Sequence, residues 1–472
     1  MFNEKTYREE LLRFLSEENL ITANKAYFDK LNYISCSLKD MITSNADDLK
    51  GTSVTYYVSN NGNDSFDGLS ADSPFRTIEH LNTLTMDEGC LVLFRRGDIF
   101  REQLLAQSGV SYSAYGTGPK PKIFAAYDGK SDAKWVKTEH KNIWCFDKTL
   151  PDADIATIVV NDGEKYGEKR FNFLELKRPL DFVFCSTLSE EEPNQKLYVY
   201  STDNPAEFYK SIDISRKMSI INMPNHSHDI RFKNIEFRYG HDVFDVICGK
   251  NISMSYCVCG FSGGSVGWAD SPRTRYGSGM GAWLSCDNIN FDHCYIYQQF
   301  DAAVSPQYRY WDDEFVGVFK NYRVTDCLFE KNEYTLEFFH TQPNFIGNGI
   351  ENLYFGYNLC LQGGQGFGDK TNSSCYIKTW DHENVCRNCK IEHNVFDRST
   401  ALTLEITGHA DGKSGEQISY DHIPKLEGNV YIEKKDKPFA IINLVSYKFN
   451  DASRITLEKL GVDKNSKYVF SK

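Results

Sequence analysis

The chain has 472 residues and a formal net charge of -12, with 41% hydrophobic and 14% aromatic residues. This acidity counts against a nucleic-acid partner, whose phosphates are held mainly by Lys and Arg, and against an anionic membrane surface. No run of about 18 apolar residues occurs, which rules out a hydrophobic membrane-spanning helix.

Residues 1–50 read as a helical segment. Leu11, Leu12, Phe14, Leu15 and Leu20, then Tyr27, Leu31 and Leu38, recur near helical spacing among charged residues. The opening MFNEKTYREELLRFLSEENL carries charge throughout and lacks the apolar stretch of a signal peptide. A cytoplasmic location is therefore expected, or an extracellular one if a leader has been removed. The 14 cysteines are scattered, many of them inside apolar alternation. They are expected as reduced, small core residues rather than disulfide partners.

From Val54 the texture changes. VTYYVS reads as a strand, NNGNDSFDGLSADSPF as turns, and CLVLF, SYSAYG and KIFAAY as further short strands. Residues 54–128 are thus assigned to short β-structure. Residues 129–215 hold longer alternating runs (IATIVV, LDFVF, KLYVYS) between charged loops and read as a β-rich insertion. Residues 216–424 form the main repeat region. Residues 425–472 show weaker strand signals and no clear repeat, and are expected to close the domain.

One pattern recurs six times, as IRFKNIEF from Ile230, ISMSYCVC from Ile252, INFDHCYI from Ile289, YRVTDCLF from Tyr322, LYFGYNLC from Leu353 and CKIEHNVF from Cys389. Positions 0, 2, 5 and 7 are mostly apolar, Cys or Asn, which describes two strands joined by a short bend. The starts are 22, 37, 33, 31 and 36 residues apart. The shortest interval matches one bare coil of a parallel β-helix, and the longer ones add loops to it. Position 5 holds Ile235, Cys257, Cys294, Cys327, Asn358 and Asn394, an expected column of stacked small and amide side chains. Cys386 and Cys389 have zinc-type spacing but no second pair, so no metal and no cofactor is assigned.

YYVSNNGNDSFDGLSADSPFRTIEHLN, LVLFRRGDIFRE, SYSAYGTGPKPKI and GSGMGAWLSCDNINFDHCYIYQQFDAAVSPQ resemble coils of bacterial right-handed parallel β-helix proteins of the pectate-lyase-like superfamily. The resemblance implies an all-β fold and a carbohydrate-active protein. It does not choose among lyases, hydrolases, epimerases and non-catalytic members. No named catalytic signature is matched, and the acidic calcium cluster of a typical pectate lyase is not seen.

The inserted loops carry Trp268, Arg275, Trp283, Gln307, Tyr308, Trp311, His340, Lys370, Trp380 and His382, which are assigned to substrate binding. Aromatic faces beside polar groups suit sugar rings, so an oligo- or polysaccharide is the expected partner. Counted from the repeat starts, Asp242 and Asp301 fall at position 12, Asp245 and Glu337 at 15, and Asp369 and Glu405 at 16. Asp301, Glu337 and Asp369 are chosen as the catalytic trio, expected some 5–10 Å apart on neighbouring coils. Glu337, between apolar neighbours in TLEFF, is the expected general acid of a glycoside hydrolase. The alternatives are a polysaccharide lyase acting on a uronate-containing glycan and a non-catalytic glycan-binding β-helix.

Overall fold

The computed structural model describes residues 3–16, 22–51, 53–268, 271–308, 318–340, 349–368, 374–380, 385–408 and 419–472. Among these, short strands stack into three long sheets of 13, 13 and 8 strands, whose neighbours come from successive turns of the chain. Pairing within the stack is parallel, with antiparallel exceptions at the insertion and at the end of the third sheet. The architecture is a right-handed parallel β-helix.

The six repeats align as their sequences do. Ile230 pairs with Ile252, Ile252 with Ile289, and Ile289 with Tyr322. The pairs Arg323–Tyr354 and Tyr354–Lys390 carry the same register on to Leu353 and Cys389. Positions 0, 2 and 7 point inward. For example, Ile230, Phe232 and Phe237, and their successors Ile289, Phe291 and Ile296, are buried in one continuous core. One coil cannot enclose that core alone, because its apolar face is covered only by the coils above and below.

Between positions 3 and 5 each coil turns through one left-handed residue. Asn234, Tyr256, His293, Asp326, Tyr357 and His393 all have φ between 48° and 62°. Such a conformation costs a non-glycine residue about 1–2 kcal/mol. The column at position 5 compensates with buried hydrogen bonds. Cys327 N donates to Asn358 Oδ1 (2.9 Å), Asn358 N to Asn394 Oδ1 (2.9 Å) and Asn394 N to Asn429 Oδ1 (3.0 Å). Asn429 N then donates to Ser466 Oγ (3.0 Å), so the column runs two coils beyond the sixth repeat. The closing segment, expected to lack the repeat, therefore continues it. Its loose apolar match hid the register, while Asn429 kept the column. Cys386 and Cys389 lie in the same core, and all 14 cysteines are free thiols.

Two helices cover the outside of the second sheet. α1 (Glu4–Ser16) buries Tyr7, Leu11, Phe14 and Leu15, and α2 (Lys25–Ser44) buries Tyr27, Leu31, Ile34, Leu38 and Ile42. Asn24 caps α2 by accepting from Tyr27 N at 3.0 Å. The helices meet an outward apolar column at repeat position 6: Val258, Tyr295, Leu328, Leu359 and Val395. Each large side chain buried there contributes about 1.5–3 kcal/mol. Arg8 adds a two-pronged bond to Asp326 at 2.6 and 2.5 Å.

The insertion leaves the β-helix after Lys122–Asp128. Ile212–Arg216 and Ile155–Val160 run antiparallel beyond that strand and extend the second sheet. A separate five-stranded sheet, with its own core around Phe146, Phe182 and Leu197, completes it.

Candidate active-site groove

The third sheet carries the chemistry on its outer face. Register places Asp245 beside Gly281, Gly281 beside Ser305, Glu337 beside Lys378, and Lys378 beside Glu405. The flanking pairs Val304–Leu336 and Gln307–Phe339 put Ser305 beside Glu337. Asp245, Glu337 and Glu405 thus share one column parallel to the helix axis. Inward neighbours such as Val246, Val304, Leu336 and Ile377 belong to the core. This alternation is what turns the polar residues outward.

Glu337 is almost fully buried. It accepts from Ser305 Oγ (3.0 Å), from Gln307 Nε2 (2.9 Å) and from the indole of Trp380. These three bonds fix the Glu337 carboxyl in place on the outer face. Trp380 keeps 43% of its surface exposed. Its indole has Tyr334 at its edge (6.0 Å) and the Lys378 ammonium over its face (4.4 Å). Lys378 is ion-paired with Glu405. Trp283 repeats the theme further up, donating Nε1 to Asp245 Oδ1 (3.2 Å) with Phe339 at its edge. Trp283, Gln307 and Phe339 share a column, and the pair Phe338–Thr379 leads it on to Trp380. Aromatic rings therefore follow the carboxylates along the axis.

The second part of the groove is an acidic recess of His241, Asp242, Asp245 and Asp301. Burial pushes the Asp242 carboxyl up to about 7, and the charge of Asp301 adds to this. Ser219 Oγ donates to Asp242 at 3.0 Å and works the other way. Asp245 is likewise raised to about 7, first by burial and then by Asp242. Burial holds His241 below the ordinary imidazole value, against the pull of Asp245, and its Nδ1 meets Ser265 Oγ at 2.5 Å.

Glycines make this recess. Gly277 has φ +126° and sits so close to the chain above that an added Cβ would lie 2.3 Å from the His241 carbonyl oxygen. At Gly281 a Cβ would lie 1.8 Å from Asp245 Oδ1. The coil between the one carrying Asp242 and the one carrying Asp301 thus offers little side chain, and the charge of Asp301 reaches Asp242 across it. Gly279 N donates to Ala302 O, and Val243 N to Gly279 O, which fixes that order of coils. Two coil spacings amount to about 10 Å.

Of the chosen residues, Asp301, Glu337, Trp283, Gln307 and Trp380 share this outer face. Asp301 and Glu337 are nevertheless not adjacent. Tyr334 pairs with Ala302, so Glu337 lies four strand positions from the level of Asp301, on the order of 12 Å along the strand. The expected 5–10 Å for that pair is corrected, because the turn before Tyr334 is one residue shorter than the turn before Ala302, so positions counted three apart from the repeat starts are four apart in register. Arg275 is also redirected. It donates to the carbonyls of Gly264 (2.6 Å) and Ala156 (3.2 Å) and lies over Phe300, joining insertion to β-helix. Trp268, Tyr308 and His340 end strands, with Tyr308 paired to His340, but their side chains lie outside the described residues. Asp369, Trp311, Lys370 and His382 also lie outside the described residues.

Sequence reasoning passed over His241, Asp242, Asp245, Lys378 and Glu405. The signal was present, since Asp242, Asp245 and Glu405 stood in the same count as the chosen trio, and GSGMG marks where the backbone closes up. A hairpin, Ser265–Trp268 with Ser271–Tyr276, walls the recess beside His241. It is tied to the insertion by Val266 N to Asp154 Oδ2 (2.7 Å), Lys217 Nζ to Val266 O (2.6 Å), and Arg273 to Glu190 (2.5 Å).

No protein-family model matches the chain, and no curated protein matches it. Among solved structures it is similar to a complex of XylC with xylose, at 12% identity and TM-score 0.47 over 84% of this chain and 73% of that one. It is similar to a glycoside hydrolase at 9% identity and TM-score 0.44, over 89% and 96%. It is also similar to pectate lyase Pel9A at 11% identity and TM-score 0.35, over 89% and 78%.

Proposed function

We propose that this protein is a carbohydrate-active enzyme, and that it hydrolyses a glycosidic bond in the groove on the outer face of the third sheet. The observation that carries this reading is the pair Asp242 and Asp301 across the glycine coil. Glycoside hydrolysis needs one carboxyl that is protonated near neutral pH and a second that acts as base or nucleophile. Asp242, raised to about 7, meets the first need as general acid. Asp301 is the base that activates water. The glycine coil between their backbones, a gap of about 10 Å, leaves room for that water. Trp283 and Trp380 supply ring faces for an extended chain lying along the helix axis, and Glu337 holds Trp380 in place.

The test is reducing-end release from a panel of oligo- and polysaccharides by the protein and its Asp242→Asn and Asp301→Asn variants. Each substitution is expected to lower turnover by about 10²–10⁴-fold. Near-normal turnover by Asp242→Asn would remove it as the acid. Ultraviolet absorbance of an unsaturated product would replace hydrolysis by lyase chemistry. Glycan binding with no turnover on any substrate would leave a binding protein.

A further inference from the structure

We infer that the insertion carries a second sugar-binding site, separate from the groove. The choice of a sugar as ligand class rests on the carbohydrate reading above; the pocket does not.

The pocket has a volume of 470 Å³ and is lined by Lys165, Tyr166, Pro179, Leu180, Thr202 and Phe208 among others. That size lies in the range of small-ligand sites and accommodates one or two pyranose rings. Two features set it apart from an ordinary surface dent. First, Phe208 is 59% exposed, whereas the adjoining Tyr209 is buried and meets it edge-on at 4.9 Å. The Phe208 ring lines the pocket with its surface exposed and so offers a stacking face there. Second, Leu180 on the pocket wall has φ +69°. A leucine in that conformation is strained, and here two backbone bonds hold it: its N–H donates to Tyr200 O (3.0 Å) and its carbonyl accepts from Glu168 N (3.2 Å). Strain of this kind, kept in place by surrounding structure, marks positions where shape matters.

The lining chemistry selects the ligand. Phe208, Pro179 and the ring of Tyr166 offer apolar surface for the C–H face of a pyranose. Glu164, Lys165, Ser201 and Thr202 offer a carboxylate, an ammonium and two hydroxyls for its hydroxyl groups. Both signs of charge on one rim favour a neutral, hydroxyl-rich ligand over an ion. The site is also placed to serve the groove. The Tyr166 ring meets Phe367 at 5.8 Å, and Phe367 packs on Phe300, the residue before Asp301. A chain anchored in the insertion is thereby held beside the recess, which raises its local concentration there.

The experiment is saturation-transfer NMR on the full chain with xylose, galactose, N-acetylglucosamine and cellobiose as probes, compared with Phe208→Ala and Thr202→Val. At least one probe is expected to bind, with affinity at least fivefold weaker in each variant. Turnover of a short soluble substrate in the groove should be unchanged in both. If Phe208→Ala loses its cooperative melting transition, Thr202→Val decides alone. Binding of none of the four sugars, or binding unaffected by these substitutions, overturns the proposal. Failure of the groove reading would show separately, as normal turnover in Asp242→Asn.

Discussion

Asp245 and Glu337 stand in one column of the third sheet, three coils apart, and each accepts the indole N–H of a tryptophan, Trp283 and Trp380 respectively. Acid and aromatic are thus coupled twice along the same face. The carboxylates fix the indole planes, and the indoles present rings to whatever lies in the groove. Four predictions follow from this face and from the columns that support it.

Trp380→Ala should weaken substrate binding without touching the acid–base pair. KM is expected to rise about tenfold, equivalent to ~1.4 kcal/mol, with kcat little changed. Steady-state kinetics on a soluble oligosaccharide checks this. An equal fall in kcat at constant KM would assign Trp380 to the chemical step instead.

Activity should fall as pH rises through about 7. Asp242 must carry its proton to act as acid, and its carboxyl titrates there. A kcat/KM profile measured from pH 4 to 9 should show this alkaline limb. The same shift has a stability consequence of opposite benefit. A carboxyl raised on folding binds its proton more tightly in the folded state, so ionising it costs stability as pH rises from about 4 to 7. Asp242→Asn removes that cost. It should be inactive yet more stable at pH 8, by about 4 kcal/mol at most, with the advantage vanishing near pH 4. Denaturant titrations at the two pH values read the difference.

Gly281→Ala should displace the Asp245 carboxylate, since its Cβ would lie 1.8 Å from Oδ1. The expected result is at least a tenfold loss of kcat/KM with an unchanged far-ultraviolet circular dichroism spectrum. Retained activity would show that the Asp245–Trp283 contact is dispensable.

Asn358→Ala should be the costliest of these changes to stability. Asn358 Oδ1 accepts from Cys327 N, and its Nδ2 donates to Val324 O and Asn394 Oδ1, all buried. Removing the amide strands a backbone N–H and a carbonyl, at about 1–3 kcal/mol for each unsatisfied group. A loss of unfolding free energy of that size, read by urea titration, is expected, with groove activity retained at low temperature.

The fold was legible because repetition multiplies a weak signal. Each eight-residue copy is a poor strand predictor alone, but Ile230, Ile252, Ile289 and Tyr322 repeat the same inward positions. Stacking them parallel is the arrangement that buries all of them. The cover of helices was half legible. The apolar stripes of α1 and α2 were visible, while their target, the position-6 column from Val258 to Val395, looked like ordinary strand residues until the helices were placed on it. The outer asparagine column was not read at all. Asn251, Asn288, Asn321, Asn352 and Asn388 all have positive φ. The amides of Asn288, Asn352 and Asn388 each donate to the asparagine one coil earlier. In sequence they are scattered polar residues, since nothing local says that they meet.

What the sequence determined by itself was periodic: the coil, its inward residues, the amide column, and the face from which functional side chains must project. Periodicity acts over neighbouring coils, so pattern alone carries it. What only the tertiary structure decided was which carboxyls meet. Turns of unequal length shift the count between coils, so Glu337 stands four strand positions from the level of Asp301, while the charge of Asp301 reaches Asp242. The burial that raises Asp242 and Asp245 comes from the glycine coil and the wall beside His241, parts brought together from distant segments. A carboxyl's proton affinity is set by what surrounds it in space, and that neighbourhood exists only once the coils have stacked.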